Sequence, residues 1–346
     1  MDDRNFTGLS DGQLQALSSI YVSLLSLSLI GSCSVVVLSI VRRGHLKEQA
    51  KPLFQLALAD FLASLVLFGT TIMNFLSYET LPCTDGLALS LMFYCISFLL
   101  VIIYACESAH SAQGWREDQE QAHRNQGRRR AFDLLYVFVW LTPMMGYVIY
   151  IRTITLSLVS YFPASDASNG AEDIWSEDLF CNSCILFLHL HVKDDCHCST
   201  VDVDHNNFIR GFTFASVLSV LTCCFLVYWR LQSWYRRYEQ AGLFTDSQRC
   251  TGRIWSSARY MIVVIIFCWT PALVLISFSF ATPESNRLFP LFVVQAVTVS
   301  LQGFLNSIVY GWRRRNFREA VLGERLPLMA YANRAFFEQS LSDAQQ

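Results

Sequence analysis

The sequence predicts an all-α membrane protein, a bundle of seven transmembrane helices followed by an amphipathic eighth helix. Three observations carry that expectation. Of 346 residues, 53% are hydrophobic and only 16% charged, a balance too apolar for an ordinary soluble domain. Seven apolar segments of spanning length stand near 16–41, 52–76, 86–107, 132–158, 209–231, 258–281 and 288–312. Basic residues gather in alternate connections between them.

The first sixteen residues are polar and acidic, with no basic start and no small-residue cleavage site, so the sequence predicts no removable signal peptide. The first span then serves as the signal and stays. Residues 1–15 are expected outside, where Asn5-Phe6-Thr7 forms a glycosylation sequon. One set of connections carries Arg42, Arg43, Lys47 and Lys51, then Arg116, Arg124 and Arg128 to Arg130, then Arg236, Arg237, Arg249 and Arg253; the opposite side has chiefly Arg4, Lys193, Arg210 and Arg287. The positive-inside bias therefore puts the amino terminus outside and the carboxyl terminus in the cytosol, and a plasma-membrane location is expected.

In the second span Asp60 lies in FQLALADFLASLVLF, about 12 Å deep at 1.5 Å per residue. A carboxylate there costs on the order of 2.5–3.5 kcal/mol even on the lenient insertion scale, so it must face the bundle. The residues leave two readings open: a buried hydrogen-bonding hub, or a cation site or protonation switch.

The third span organises the chain. From Leu87 to Cys106 it runs without a charge, Ser90 and Ser97 lie seven residues apart on one face, and Glu107 closes it. Lipid offers serine and glutamate no partner, so this helix is expected at the centre of the bundle.

Between the fourth and fifth spans, residues 159–207 form the long outer loop, with nine acidic residues from Asp166 to Asp204 against Lys193 alone. It reads either as a solvated lid or as an electrostatic funnel for a cation. Cys181, Cys184, Cys196 and Cys198 lie in it, and Cys83 opens the third span on the same side. Outer thiols tend to pair, and five is odd, so one is left over. His189, His191 and His197 offer zinc ligands among them, yet the spacing matches no finger or knuckle, and disulfides fit better than a metal.

The sixth span holds Cys268-Trp269-Thr270-Pro271, where proline removes a backbone bond and kinks the helix beside a large indole. The seventh holds Asn306-Ser307-Ile308-Val309-Tyr310. After it, residues 313–325 put Phe317 and Val321 on one face and arginines on the other, an amphipathic helix for the inner leaflet, ahead of a cytosolic tail at 326–346.

In this order and orientation these residues resemble the rhodopsin-like G-protein-coupled receptors, over nearly the whole chain from Gly31 to Val321. Gly31-Ser32 with Val35 looks like Gly-Asn-x-x-Val, Leu56 to Asp60 like Leu-x-x-x-Asp, and Cys268 to Pro271 like Cys-Trp-x-Pro. Asn306 to Tyr310 is similar to Asn-Pro-x-x-Tyr with Ser307 for proline, and Cys83 stands twenty-five residues before Ser108, the family's spacing from its helix-three cysteine to the arginine of Asp/Glu-Arg-Tyr. Glu107-Ser108-Ala109 keeps the acid of that motif and loses the arginine and tyrosine. The chain looks like a divergent orphan member and resembles the group called transmembrane protein 116.

The resemblance implies an unidentified extracellular ligand and a heterotrimeric G protein or other cytosolic effector as partners, besides the lipid bilayer. It implies a sodium site at Asp60, Ser97 and Asn306, and a disulfide from Cys83 to Cys198 or Cys196. It also implies a conformational switch through Glu107, Ser108, Tyr228, Trp269, Pro271 and Tyr310. With serine at 108, coupling is expected to be weak or atypical, and Glu107 must find Arg128 to Arg130 or take up a proton. Ser90 and Ser300 stand where aminergic receptors carry aspartate and opsins carry lysine, so neither an amine bound in the usual way nor retinal is implied.

The competing reading is a non-signalling seven-helix scaffold or trafficking partner. An enzyme is not expected, because the seven histidines scatter over loops on both sides, and no cofactor is implied. A transporter would show broken paired helices or internal symmetry. A net charge of −2, with no basic face or nucleic-acid motif, gives no reason to expect a nucleic-acid partner.

Overall fold

The computed structural model describes residues 9, 11–41, 50–75, 83–114, 134–152, 185–187, 200–240, 248–280 and 288–311, nearly all of them helical and with no strand among them. The helices are α1 (Asp11–Val41), α2 (Ala50–Phe75), α3 (Cys83–Gly114), α4 (Leu134–Arg152), α5 (Thr200–Gln240) and α6 (Gln248–Ser279), then α7 (Phe289–Ser300) and α8 (Gln302–Gly311). The last two are halves of one span. Counted so, seven helices are long and apolar enough to cross a membrane, from Gly12–Val41 to Phe289–Val309. They match the seven expected segments to within a few residues. The amphipathic helix expected at 313–325 lies outside the described residues.

The side chains are distributed as a bilayer demands. Ile30, Phe138, Phe225 and Phe267 are exposed, while Asp60, Ser97, Gln302 and Asn306 are buried. In water, so much exposed apolar surface would aggregate; in lipid it costs nothing, and the polar groups must find partners inside. The share of each span that is buried sorts the helices. It is 56% for α3 and 6% for α4, so α3 is the central post and α4 stands at the rim. α3 packs against α2, α5 and α6, while α1 packs against α2, α7 and α8.

The α1 contact is a close approach of small residues. A Cβ on Gly31 would sit 3.3 Å from the Phe304 Cα and from the Ser307 hydroxyl. A Cβ on Gly303 would come within 2.8 Å of the Ser32 hydroxyl. That proximity lets α1 break the seventh span. Ser28 donates its hydroxyl to the Ser300 carbonyl and accepts the Phe304 N–H at 3.1 Å. In an unbroken α-helix those two backbone groups would bond each other. A side chain inserted into the ladder is one of the few causes of a sharp helix break, and here the break falls at Leu301, between α7 and α8. The resembling family has proline in this span; this chain has Ser307, and the interruption comes from a neighbouring helix instead.

Pro271 sits inside α6 without ending it. α5 runs for 41 residues, roughly 60 Å and about twice the bilayer core, so its polar ends project beyond the apolar span Gly211–Arg230.

Candidate functional site

Three spans deliver four polar side chains to one buried point. Asp60 on α2, Ser97 on α3, and Gln302 and Asn306 on α8 are each 0–1% exposed. Gln302 and Asn306 are one helical turn apart and so share a face, which the break at Leu301 turns toward α2 and α3. Ser97 donates its hydroxyl to Asp60 Oδ1 at 2.6 Å, and Asn306 donates its amide to Asp60 Oδ2 at 2.8 Å. Gln302 Nε2 donates to Asp60 Oδ1 at 3.2 Å and to the Ser97 hydroxyl at 3.3 Å. Both carboxylate oxygens therefore have donors, which offsets the cost of burying the group.

The cluster does not stop at the carboxylate. Gln302 Oε1 accepts the Trp269 indole N–H at 2.6 Å, so a single glutamine amide connects α6 to α2 and α3. Above the indole, Tyr94 and Phe98 of α3 stand edge-on to its ring system, with centroids at 5.3 and 4.9 Å. Phe187, from the stretch between the fourth and fifth spans, stands edge-on at 6.3 Å. Trp269 is 1% exposed.

Two buried polar atoms on the surrounding faces have no protein partner, the Ser32 hydroxyl and Asn306 Oδ1, while the buried Ser64 and Tyr94 hydroxyls face each other. Ser64 follows Asp60 by one turn and Tyr94 precedes Ser97 by nearly one, so both lie along the faces that hold the cluster. Oxygens of this kind suit ordered water or a hard cation. A cation bridging Asp60 and Ser97 would compete with the Gln302 amide for the same two oxygens.

Asp60, Ser97 and Asn306 meet as the sequence suggested, and Trp269 joins them through Gln302. Glu107, at the other end of α3, accepts the Tyr136 hydroxyl of α4 at 2.7 Å; Arg128 to Arg130, the partners expected from sequence, lie outside the described residues. Tyr228 is half-buried on α5, and Pro271 is half-buried on α6. Ser108 and Tyr310 lie in α3 and α8, with side chains outside the described residues, as is that of Cys83 at the start of α3. Cys196, Cys198 and Asn5 lie outside the described residues altogether. The described cysteines Cys33, Cys95, Cys106, Cys223, Cys224 and Cys268 are free thiols, with no disulfide among the described residues.

The roles of Phe187, Tyr136 and Ser28 are not apparent from sequence, and the resemblance places Gln302 beside the sodium site, where a smaller polar residue is common, without its bond to Trp269. Gln302 carried one usable signal, its position four residues before Asn306 in an apolar span.

Fold and site together define a multi-pass integral membrane protein with seven helices around a polar interior centred on a buried carboxylate. The family model described as transmembrane protein 116 matches residues 14–325, and the chain belongs to that family.

Proposed function

We propose that the protein is a receptor of the rhodopsin-like, G-protein-coupled kind, sited in the plasma membrane with its amino terminus outside. On this reading a ligand event near Trp269 is passed inward by helix rearrangement. The observation that carries the reading is the bond from Trp269 to Gln302, and from Gln302 to Asp60 and Ser97. It ties the aromatic cluster around Trp269, midway along the sixth span, to the polar break of the seventh span. A movement of the indole cannot leave Gln302 where it is without orphaning a buried N–H, at a cost of about 1–3 kcal/mol. Binding and conformational transmission, not catalysis, is the chemistry such a group supports.

Coupling to a G protein is weak or atypical on this reading, because position 108 is serine. A contact to a charged group is worth about 1.5–3 kcal/mol, roughly a ten- to hundredfold change in exchange rate. Asp60, Ser97 and Asn306 bind sodium when the Gln302 amide turns aside.

The test is nucleotide exchange on a panel of G proteins by the purified protein and by Ser108→Arg. Slow exchange by wild type that rises in Ser108→Arg is the expected result. Strong exchange by wild type that Ser108→Arg leaves unchanged or reduces overturns the weak-coupling account; no exchange by either favours a scaffold.

A further inference from the structure

The stretch Ile185-Leu186-Phe187 lies between the fourth and fifth spans in sequence, among acidic residues, yet its three side chains are 1%, 0% and 1% exposed. An apolar tripeptide in an acidic connection has no reason to vanish from the surface unless a cavity in the bundle receives it. Phe187 supplies the floor contact, edge-on to the Trp269 indole beside Tyr94 and Phe98.

The backbone gives an independent sign. Phe187 has φ 67°, in the left-handed region, and it is the sole non-glycine with positive φ among the described residues. A bulky aromatic residue takes that conformation only when its surroundings impose it, and such residues gather at ligand clamps and switches. Here the ring faces Trp269 edge-on, and the backbone holds the strained φ that this placement requires. The lining suits such an occupant: it is largely aromatic, and of its two polar groups the indole N–H is bonded to Gln302 and the Tyr94 hydroxyl is buried on α3.

We propose that Ile185-Leu186-Phe187 is a tethered ligand: the chain fills its own cavity above Trp269, and a diffusible ligand acting there is an apolar aromatic molecule that takes the place of Phe187. This concerns the occupant of the cavity, so it stands or falls apart from any coupling to a G protein. Phe187 presses on the indole that Gln302 holds from the other side, so the occupied state is the one in which the Asp60 cluster is closed.

An apolar phenyl diazirine photoprobe tests it on the purified full chain in lipid nanodiscs. Label is mapped at Trp269 and at Phe267, two residues away but 59% exposed on the outer surface of α6, which serves as the reference within one peptide. In wild type, Phe267 takes the label and Trp269 takes almost none. In Phe187→Ala the ratio of Trp269 to Phe267 label rises by an order of magnitude, because the probe enters the emptied site. A ratio that does not move in a Phe187→Ala protein of unchanged circular dichroism overturns the proposal, as does equal labelling of both residues in wild type. Should Phe187→Ala not fold, Phe187→p-azidophenylalanine gives a second measurement: photolysis links position 187 to the Tyr94–Phe98 or Trp269 peptide if the proposal holds, and to lipid or other segments alone if it is wrong.

Discussion

Gln302→Leu removes the amide at the centre of the cluster while keeping close to the same volume, and its effect is separable from packing by a double-mutant cycle with Trp269→Phe. The single change orphans the Trp269 N–H and takes one donor from Asp60, leaving Ser97 at 2.6 Å and Asn306 at 2.8 Å. An orphaned buried donor costs about 1–3 kcal/mol and a lost bond to a charged acceptor about 1.5–3 kcal/mol; with the remaining donors compensating, about 3 kcal/mol in all is expected. Trp269→Phe strips the same bond from the other side and adds a cavity. The double variant loses the shared bond once, so its destabilisation is smaller than the sum. Interhelical hydrogen bonds in membranes give coupling energies averaging about 0.6 and reaching about 1.7 kcal/mol; a fully buried bond of 2.6 Å between side chains belongs near the upper end, at about 1–1.7 kcal/mol. Reversible unfolding in mixed micelles measures all four proteins. A coupling energy below about 0.5 kcal/mol would lie within the scatter of independent sites and would refute the claim that Gln302 links Trp269 to the carboxylate.

Three further outcomes are expected. If Asp60, Ser97 and Asn306 bind sodium, raising sodium at fixed ionic strength raises the unfolding temperature of wild type and leaves Asp60→Asn unmoved; no response in wild type reduces the cluster to a hydrogen-bonding hub. Gly31→Val places bulk against the Phe304 backbone at a 3.3 Å approach and should cost about 1–3 kcal/mol, whereas Gly12→Val, with open space around it, should be near neutral in the same unfolding assay. If the amino terminus lies outside, Asn5→Gln should speed the gel band as enzymatic deglycosylation does for wild type, and unreduced peptide mapping should find Cys83 joined to Cys196 or Cys198; a protease-accessible carboxyl terminus on intact cells contradicts the topology, and a free Cys83 contradicts the disulfide.

The spans were legible because lipid imposes a simple rule: a run such as Leu87–Cys106 has one economical fate. Asp60 was legible for the same reason, since its burial cost demands partners, and Ser97 and Asn306 are suitable ones in the right spans. What the sequence could not reveal depends on the rotation of one helix against another. α1 has eight serines, and nothing in LLSLSLIGSCS marks Ser28, rather than Ser26 or Ser34, as the one that enters the seventh span; Ser26 and Ser34 instead bond their own helix at Ser23 and Gly31. Tyr136 reaches Glu107 because α4 lies against α3 at that level, and that is a tertiary fact. Phe187 carries no periodic signal at all, being three residues of loop whose burial only the assembled cavity explains.

If the Trp269–Gln302–Asp60 group transmits a change along the bundle, removing Gln302 must alter events at the cytosolic face. Nucleotide exchange is measured for Ser108→Arg and for Ser108→Arg combined with Gln302→Leu, at matched folded fractions in nanodiscs. Gln302 is buried at 0% exposure and cannot touch a docked protein, so transmission alone can make it matter. A severalfold change in exchange on adding Gln302→Leu is expected; identical rates for the two proteins, both above background, would show that Gln302 transmits nothing.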